Sequence, residues 1–230
     1  LFTDLLNFFA LTLLKQCFII HIDQSVYSIL RKDVNLMKCK TESREKILTT
    51  AALLFQIKGF NATGLNEILT ESGSPKGSLY YYFPNGKEEL AIEAIQLSSK
   101  SIQKKLKTSL DKYPSPIEAI QFAIKNIMED LKKGNKLKDI SISLIALETY
   151  LSSEPLREAC KEVFQILEGM YAKKLIESGI SKKVAQELGI LIQLMIEGAI
   201  TISLTQKNAT PLLIVSNHIN LLLSPYLNTK

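Results

Sequence analysis

From residue 41 onward the apolar side chains of this chain recur three and four positions apart, a spacing that fits an α-helix and not a strand. Ile47, Leu48, Ala51, Leu54 and Phe55 form one such stripe, with Arg44, Glu45 and Thr49 opposite. An amphipathic helix is therefore expected there, started by Thr41 or Ser43 as cap and ended near Gly59. Ten glycines and seven prolines in 230 residues, where ordinary usage would supply about 28, leave few turns and long elements. The expected fold class is all-α.

The stretch after that helix is punctuated more tightly. Thr63 is the expected N-cap of a short helix over residues 64–73, with Leu65, Ile68 and Leu69 inward and Gly73 as a left-handed stop. Past Ser74, Pro75 suits the first turn of a second brief helix over residues 76–83, which Pro84 closes. Two short helices around a glycine-bearing turn make a helix-turn-helix. A long helix from 87 to about 110 follows, stopped at Tyr113-Pro114-Ser115-Pro116, and then helices over 116–132, about 138–150, 155–177, 181–206 and 211–223. The expected organisation is a leader over 1–36, a DNA-binding domain over 37–92 and a second helical domain over 93–230.

Charge does not announce a nucleic-acid partner. The net charge is +5, and residues 37–100 hold eight basic and seven acidic side chains, so any contact with DNA must come from a few placed groups rather than a basic arm. Cys17, Cys39 and Cys160 lack the pairing of a zinc site or a redox dithiol, and His21 and His218 stand far apart. Neither a metal nor a cofactor is expected. The apolar run Leu5–Leu14 has no basic start or cleavage site, and Asp4, Lys15 and Asp23 interrupt it as a membrane span. The reading preferred for residues 1–36 is translated upstream DNA with Met37 as the natural start; a membrane-associated leader and an additional helix are the alternatives.

Within residues 75–83, Leu79 and Phe83 lie four apart and share the buried face, which turns Lys76, Gly77, Ser78, Tyr80, Tyr81 and Tyr82 variously outward. A phenol joins a flat apolar body to a hydroxyl that donates to phosphate oxygens, while Lys76 and Ser78 can reach base edges. The plainer alternative is that Tyr80 to Tyr82 are half-buried packing residues.

Taken in order, Arg44-Glu-Lys-Ile-Leu48, Ala51-Ala-Leu-Leu-Phe55, Gly59-Phe60, Thr63, Ile68-Leu-Thr-Glu-Ser-Gly73, Lys76-Gly-Ser-Leu-Tyr-Tyr-Tyr-Phe83 and Lys87-Glu-Glu-Leu90 resemble the DNA-binding domain of the TetR family of bacterial repressors. Pro84-Asn-Gly-Lys87, Ala146-Leu-Glu148, Ser153-Glu-Pro-Leu156 and Glu197-Gly-Ala199 resemble its LmrA-like and YxaF-like branch. The resemblance implies a homodimeric repressor on a palindromic operator, released by a small hydrophobic or aromatic inducer; the three unpaired cysteines separately lead to the expectation of a reducing, cytoplasmic setting. By position it implies DNA contacts from Thr63, Ser74, Lys76, Gly77, Ser78, Tyr80, Tyr81, Tyr82 and Lys87. Tyr82 stands where many relatives carry His. The resemblance also implies pairing through helices 181–206 and 211–223. The apolar Ile190, Leu191, Leu194, Met195 and Ile202 independently leave that segment too little polar face for a solvated helix.

An inducer is expected among residues 116–177, with Phe122, Leu144, Leu147, Phe164 and Met170 as apolar lining and Glu148 as a carboxylate costly to bury unpaired. No catalytic residue is expected. Gly59 to Gly64 begins like a phosphate loop, but Leu65-Asn66 replaces the required Lys and Ser or Thr. The alternative function is a helical small-molecule-binding or protein-adaptor protein without DNA binding.

Overall fold

The computed structural model of the chain describes residues 24–132 and 142–227, in which every regular element is helical. The expectation about residues 1–36 falls largely outside them. In order, the helices are α1 (Gln24–Ala62), α2 (Leu65–Ser72), α3 (Lys76–Tyr82), α4 (Lys87–Asp111), α5 (Pro116–Lys132), α6 (Ile142–Thr149), α7 (Glu154–Glu177), α8 (Lys182–Gln206) and α9 (Thr210–Leu227). Residues from Arg44 onward form one compact unit, distinct from the unit that ends at Ser43.

Two boundaries differ from those expected. Helix α1 begins at Gln24, so Thr41 and Ser43 lie inside it; a capping side chain starts a helix only where the preceding backbone is not already helical. Helix α9 runs to Leu227 with Pro225 inside its last turn, past the expected end at 223. The other end of α1 breaks at Gly59, whose φ of 82° and ψ of 172° are closed to most side chains. Helix α2 stops at Gly73 in the left-handed conformation, with its N–H on the Leu69 and Thr70 carbonyls.

One continuous core runs from Ile47, Ala51 and Phe55 of α1 to Ile219 and Leu223 of α9. Fully buried side chains of this kind each contribute about 1.5–3 kcal/mol relative to exposure. Around the short α2 and α3, Ile68, Leu79 and Phe83 are wholly covered, which anchors two helices too brief to persist alone. Helix α4 packs on both α5 and α7, and α9 lies against α5 and α8. Asn126 Nδ2 donates to Ser109 Oγ at 3.0 Å, joining α5 to α4, and Gln121 Nε2 donates to the Ser216 carbonyl at 3.0 Å, joining α5 to α9. Ser153 caps α7 by accepting from the Leu156 N–H at 3.2 Å, and its hydroxyl donates to Glu88 Oε1 at 2.5 Å on α4.

Helix α8 is long and apolar enough by composition to cross a membrane. It packs on α7 and α9, with Leu188, Ile192, Ile196 and Ala199 buried and Ile190, Leu191, Leu194 and Ile202 exposed.

Candidate DNA-binding surface and effector region

Helix α3 stands on Leu79 and Phe83, both fully buried, and turns Lys76, Gly77, Tyr80 and Tyr81 to the exterior, with Tyr81 66% exposed. Ser74 and Ser78 are half-buried beside them. Tyr82 departs from the outward set: it is half-buried against the core and stacks edge-on with Tyr81, ring centroids 4.9 Å apart. The tyrosine surface is thus two residues wide, with the third supporting it.

Thr63 also departs from expectation. It is 1% exposed, and its hydroxyl donates to the Gly59 carbonyl at 2.8 Å instead of capping α2, whose N-cap position is Gly64. That bond satisfies a carbonyl freed where the helix breaks, and it turns the side chain inward, away from a DNA contact. Lys87, at the start of α4, reaches back to the same corner. Its Nζ donates to the Asn61 carbonyl at 3.3 Å and lies 4.4 Å from the Phe60 ring centroid. Partial burial lowers its pKa below the ordinary lysine range, and the Glu148 carboxylate opposes that shift.

Glu148 itself is engaged at this corner rather than waiting on a ligand. Its Oε2 accepts the Phe60 N–H at 2.5 Å and the Asn61 N–H at 3.2 Å, while Asn61 Nδ2 donates to the Glu148 carbonyl at 3.3 Å. A Cβ placed on Gly59 would overlap the carboxylate oxygens, so glycine is needed both for its φ and for this approach. The carboxylate that looks costly to bury unpaired in sequence therefore has partners 87 and 88 residues away.

Residues 47–94 match the family described as bacterial regulatory proteins, tetR family, and residues 116–218 match the LmrA/YxaF-like C-terminal domain of transcriptional regulators. The HTH-type transcriptional regulator YxaF of Bacillus subtilis is 49% identical over 186 residues, covering 81% of this chain and 97% of that one. The LmrA regulator of the same organism is 45% identical over 176 residues, covering 76% and 94%. The chain belongs to the TetR family. It is a transcriptional regulator of the LmrA/YxaF-like branch, and its relatives are regulators rather than enzymes. A TetR regulator from Chloroflexus aurantiacus, at 22% identity, superposes with a TM-score of 0.71 over 81% of this chain and 96% of that one, which supports the fold.

The remaining residues expected to meet an effector scatter in this TetR-family chain. Phe164 and Met170 are half-buried against the core of the C-terminal helices. Phe122 packs edge-on with Tyr113 at 5.5 Å under the Lys112 ammonium, 3.8 Å from its ring centroid, at the α4–α5 turn. Leu147 is 73% exposed and Leu144 is exposed as well. An open groove does occur, but it is lined by Arg44, Asn85, Glu88, Glu89, Glu93 and Pro155 among others; three of its eight lining residues are acidic, and none belongs to the expected set.

A polar cluster missed in sequence lies inside the C-terminal helices instead. Glu197 of α8 accepts from Ser143 Oγ at 2.6 Å and from Gln193 Nε2 at 2.9 Å. Burial raises its pKa above the ordinary carboxylate range, against the lowering effect of those two bonds. The buried Tyr171 phenol is pushed up too, first by desolvation and then by the Glu197 charge. The available signal was one acid in the apolar stretch from Ile190 to Ile202. Cys160 is buried and free, and burial raises its thiol to about 11, leaving it inert at neutral pH. Among the described residues no group of acidic, His or Cys side chains is arranged to hold a metal ion.

Proposed function

We propose that this TetR-family regulator is a cytoplasmic homodimeric repressor that places α3 of each protomer in successive major grooves of a palindromic operator and is released by a small hydrophobic inducer. The observation that carries the reading is the face of α3, with Lys76, Gly77, Tyr80 and Tyr81 outward on the buried pair Leu79 and Phe83. Lys76 supplies charge at base edges or phosphate, Gly77 permits close approach of the backbone, and the two phenols add stacking area and hydroxyl donors. Ser74, Ser78 and Lys87 flank them.

Two copies of α3 must stand about 34 Å apart to read half-sites one helical turn apart. Pairing through α8 and α9 would set that distance. An inducer among α5 to α8, beside Phe164 and Met170 and within reach of the Glu197 carboxylate, would favour a different spacing. Coupling of about 1–3 kcal/mol weakens operator binding about 5- to 150-fold. Helix α4 transmits the change because it opens beside α3 and packs on α5 and α7.

The test is a mobility-shift titration with duplexes tiling the region upstream of the protein's own coding sequence. A shifted complex is expected for one inverted repeat, with the Lys76→Ala protein binding at least about tenfold more weakly at an unchanged melting temperature. Equal affinity of Lys76→Ala, or no shift with any duplex, would refute the reading.

A further inference from the structure

Helix α9 carries no Asp, Glu, Lys or Arg along its 18 residues, and its one imidazole, His218, is exposed. Leu212, Ile219 and Leu223 take the buried side. Ile214, His218 and Leu221 form an exposed stripe at intervals of four and three, with Leu213 and Asn217 beside it. Residues so spaced on a helix are neighbours, so a surface that covers Ile214 and Leu221 also covers the ring between them. His218 Nδ1 lies 2.8 Å from the Ile214 carbonyl. A carbonyl only accepts, so Nδ1 carries the proton of the neutral ring and Nε2 is the nitrogen that gains one.

The occupant that suits this stripe is a second copy of the chain. An apolar face without charge is complementary to itself, which a two-fold pairing of identical subunits requires. The short connection over 207–209 makes α8 and α9 antiparallel neighbours, which sets His218 level with about residue 198 of α8. The exposed residues there are Leu194, Gly198, Thr201 and Ile202, none of them charged. Glu197, at the same level, accepts from Ser143 and Gln193. Lys182, Lys183 and Glu187 belong to the opposite end of α8, and Lys207 follows its last turn. On α5, Gln121 donates to the Ser216 carbonyl, and Glu118 and Lys125, one turn to either side of it, oppose each other in sign. Glu129, Asp130 and Lys132 lie at the far end of α5, and Tyr226 lies in the last turn of α9. Among the described residues none of these groups pairs with His218.

We infer that His218 makes the pairing of two copies acid-sensitive, because the neutral ring is buried in the joined α8–α9 surfaces and a proton on Nε2 opposes joining them. The inference rests on the homodimer reading above and goes beyond it. Imidazole is the side chain that changes charge between about pH 5 and 8. A charge taken into an apolar interface without a partner is strongly disfavoured, and in a two-fold pair the cost arises once in each chain. A group that must shed its proton on assembly weakens assembly as pH falls.

The test is the mass of the full chain by light scattering over a dilution series at pH 8 and pH 5.5, without DNA, for the wild type and for His218→Gln, which keeps a polar side chain that takes no charge. The wild type should pair at pH 8 and dissociate about tenfold or more readily at pH 5.5, with its helical circular dichroism unchanged. His218→Gln should pair alike at both values. Should that variant fail to fold, His218→Leu, which also removes the proton site, should give the same result. Equal pairing of the wild type at both values, a variant as acid-sensitive as the wild type, or loss of helix along with mass would overturn the role of His218. A wild type that scatters as a single chain at pH 8 would instead remove the homodimer reading, and this inference with it.

Discussion

Arg44 of α1 places Nη2 2.6 Å from each carboxylate oxygen of Glu93 on α4, and its guanidinium carbon lies 5.0 Å from the centroid of the buried Phe83 ring. One side chain thus joins α1, the end of α3 and α4. Because Arg44 and Glu93 are both partly exposed, the ion pair is worth at most about 1 kcal/mol, and the cation over the ring adds a similar amount. Arg44→Ala should lower the melting temperature by about 2–6 °C for a chain of this size, and Glu93→Gln by less, because the ring contact survives. Calorimetry of both variants checks this, and an order reversed between them would show that the ring contact contributes nothing.

The two outer tyrosines of α3 and the third behind them should separate in binding measurements. Tyr81→Phe removes a hydroxyl from an exposed position and is expected to weaken operator binding about tenfold, the effect of losing one hydrogen bond to a charged group. Tyr82→Phe alters a half-buried ring and should leave affinity within about twofold. Titrations at two salt concentrations add a check: a lost phenol donor leaves the salt slope unchanged, whereas Lys76→Ala should reduce it by about one.

Residue spacing reveals contacts within a helix and conceals contacts between distant ones, and this chain divides along that line. Leu79 and Phe83 announce the buried side of α3 because they are four apart, and Gly73 announces the end of α2 because a left-handed stop needs it there. Glu148 resists such reading: its polarity in an apolar run signals a partner, but the partners are backbone amides of Phe60 and Asn61, which carry no sequence signature. Thr63 looks like an N-cap by position and becomes a buried donor to Gly59 only because the chain breaks at that glycine. Tyr82 looks as exposed as Tyr81 until the core packed against it is known. Ser143 and Glu197 are 54 residues apart, and nothing local predicts their bond.

Glu197 leads to a dependence on pH. Burial raises its folded pKa above the unfolded value, the bonds from Ser143 and Gln193 only partly offset this, and the Tyr171 phenol packs near it. Folding therefore favours the protonated acid: the stability it contributes is complete below the unfolded value near pH 4.3 and is lost as pH rises through the folded value. Glu197→Gln, neutral throughout, should unfold at a higher temperature than wild type at pH 7 and show no such advantage at pH 4. Thermal unfolding across that range decides it; an advantage that grows toward acid would contradict the sign.

The exposed apolar faces of α8 and α9 give the last prediction. Leu194 is 64% exposed and Leu221 67% exposed, and Ile190, Leu191, Ile202, Leu213 and Ile214 accompany them. Scattered apolar residues on a surface need no explanation, but seven on two neighbouring helices leave a patch that a solvated monomer rarely carries. A homodimer that buries it also fixes the separation of the two α3 helices, so assembly and operator binding should fail together. Leu194→Glu combined with Leu221→Glu puts charge on positions that touch little within the protomer, so the melting of the isolated chain should change by no more than a surface substitution does. Its mass by light scattering should nevertheless fall from that of two chains to that of one, because a charge buried in an apolar interface without a partner is strongly unfavourable. Operator affinity should drop with it, since a lone protomer reads one half-site. A variant that still scatters as a pair, or a wild type that scatters as a single chain, would place the role of these faces elsewhere.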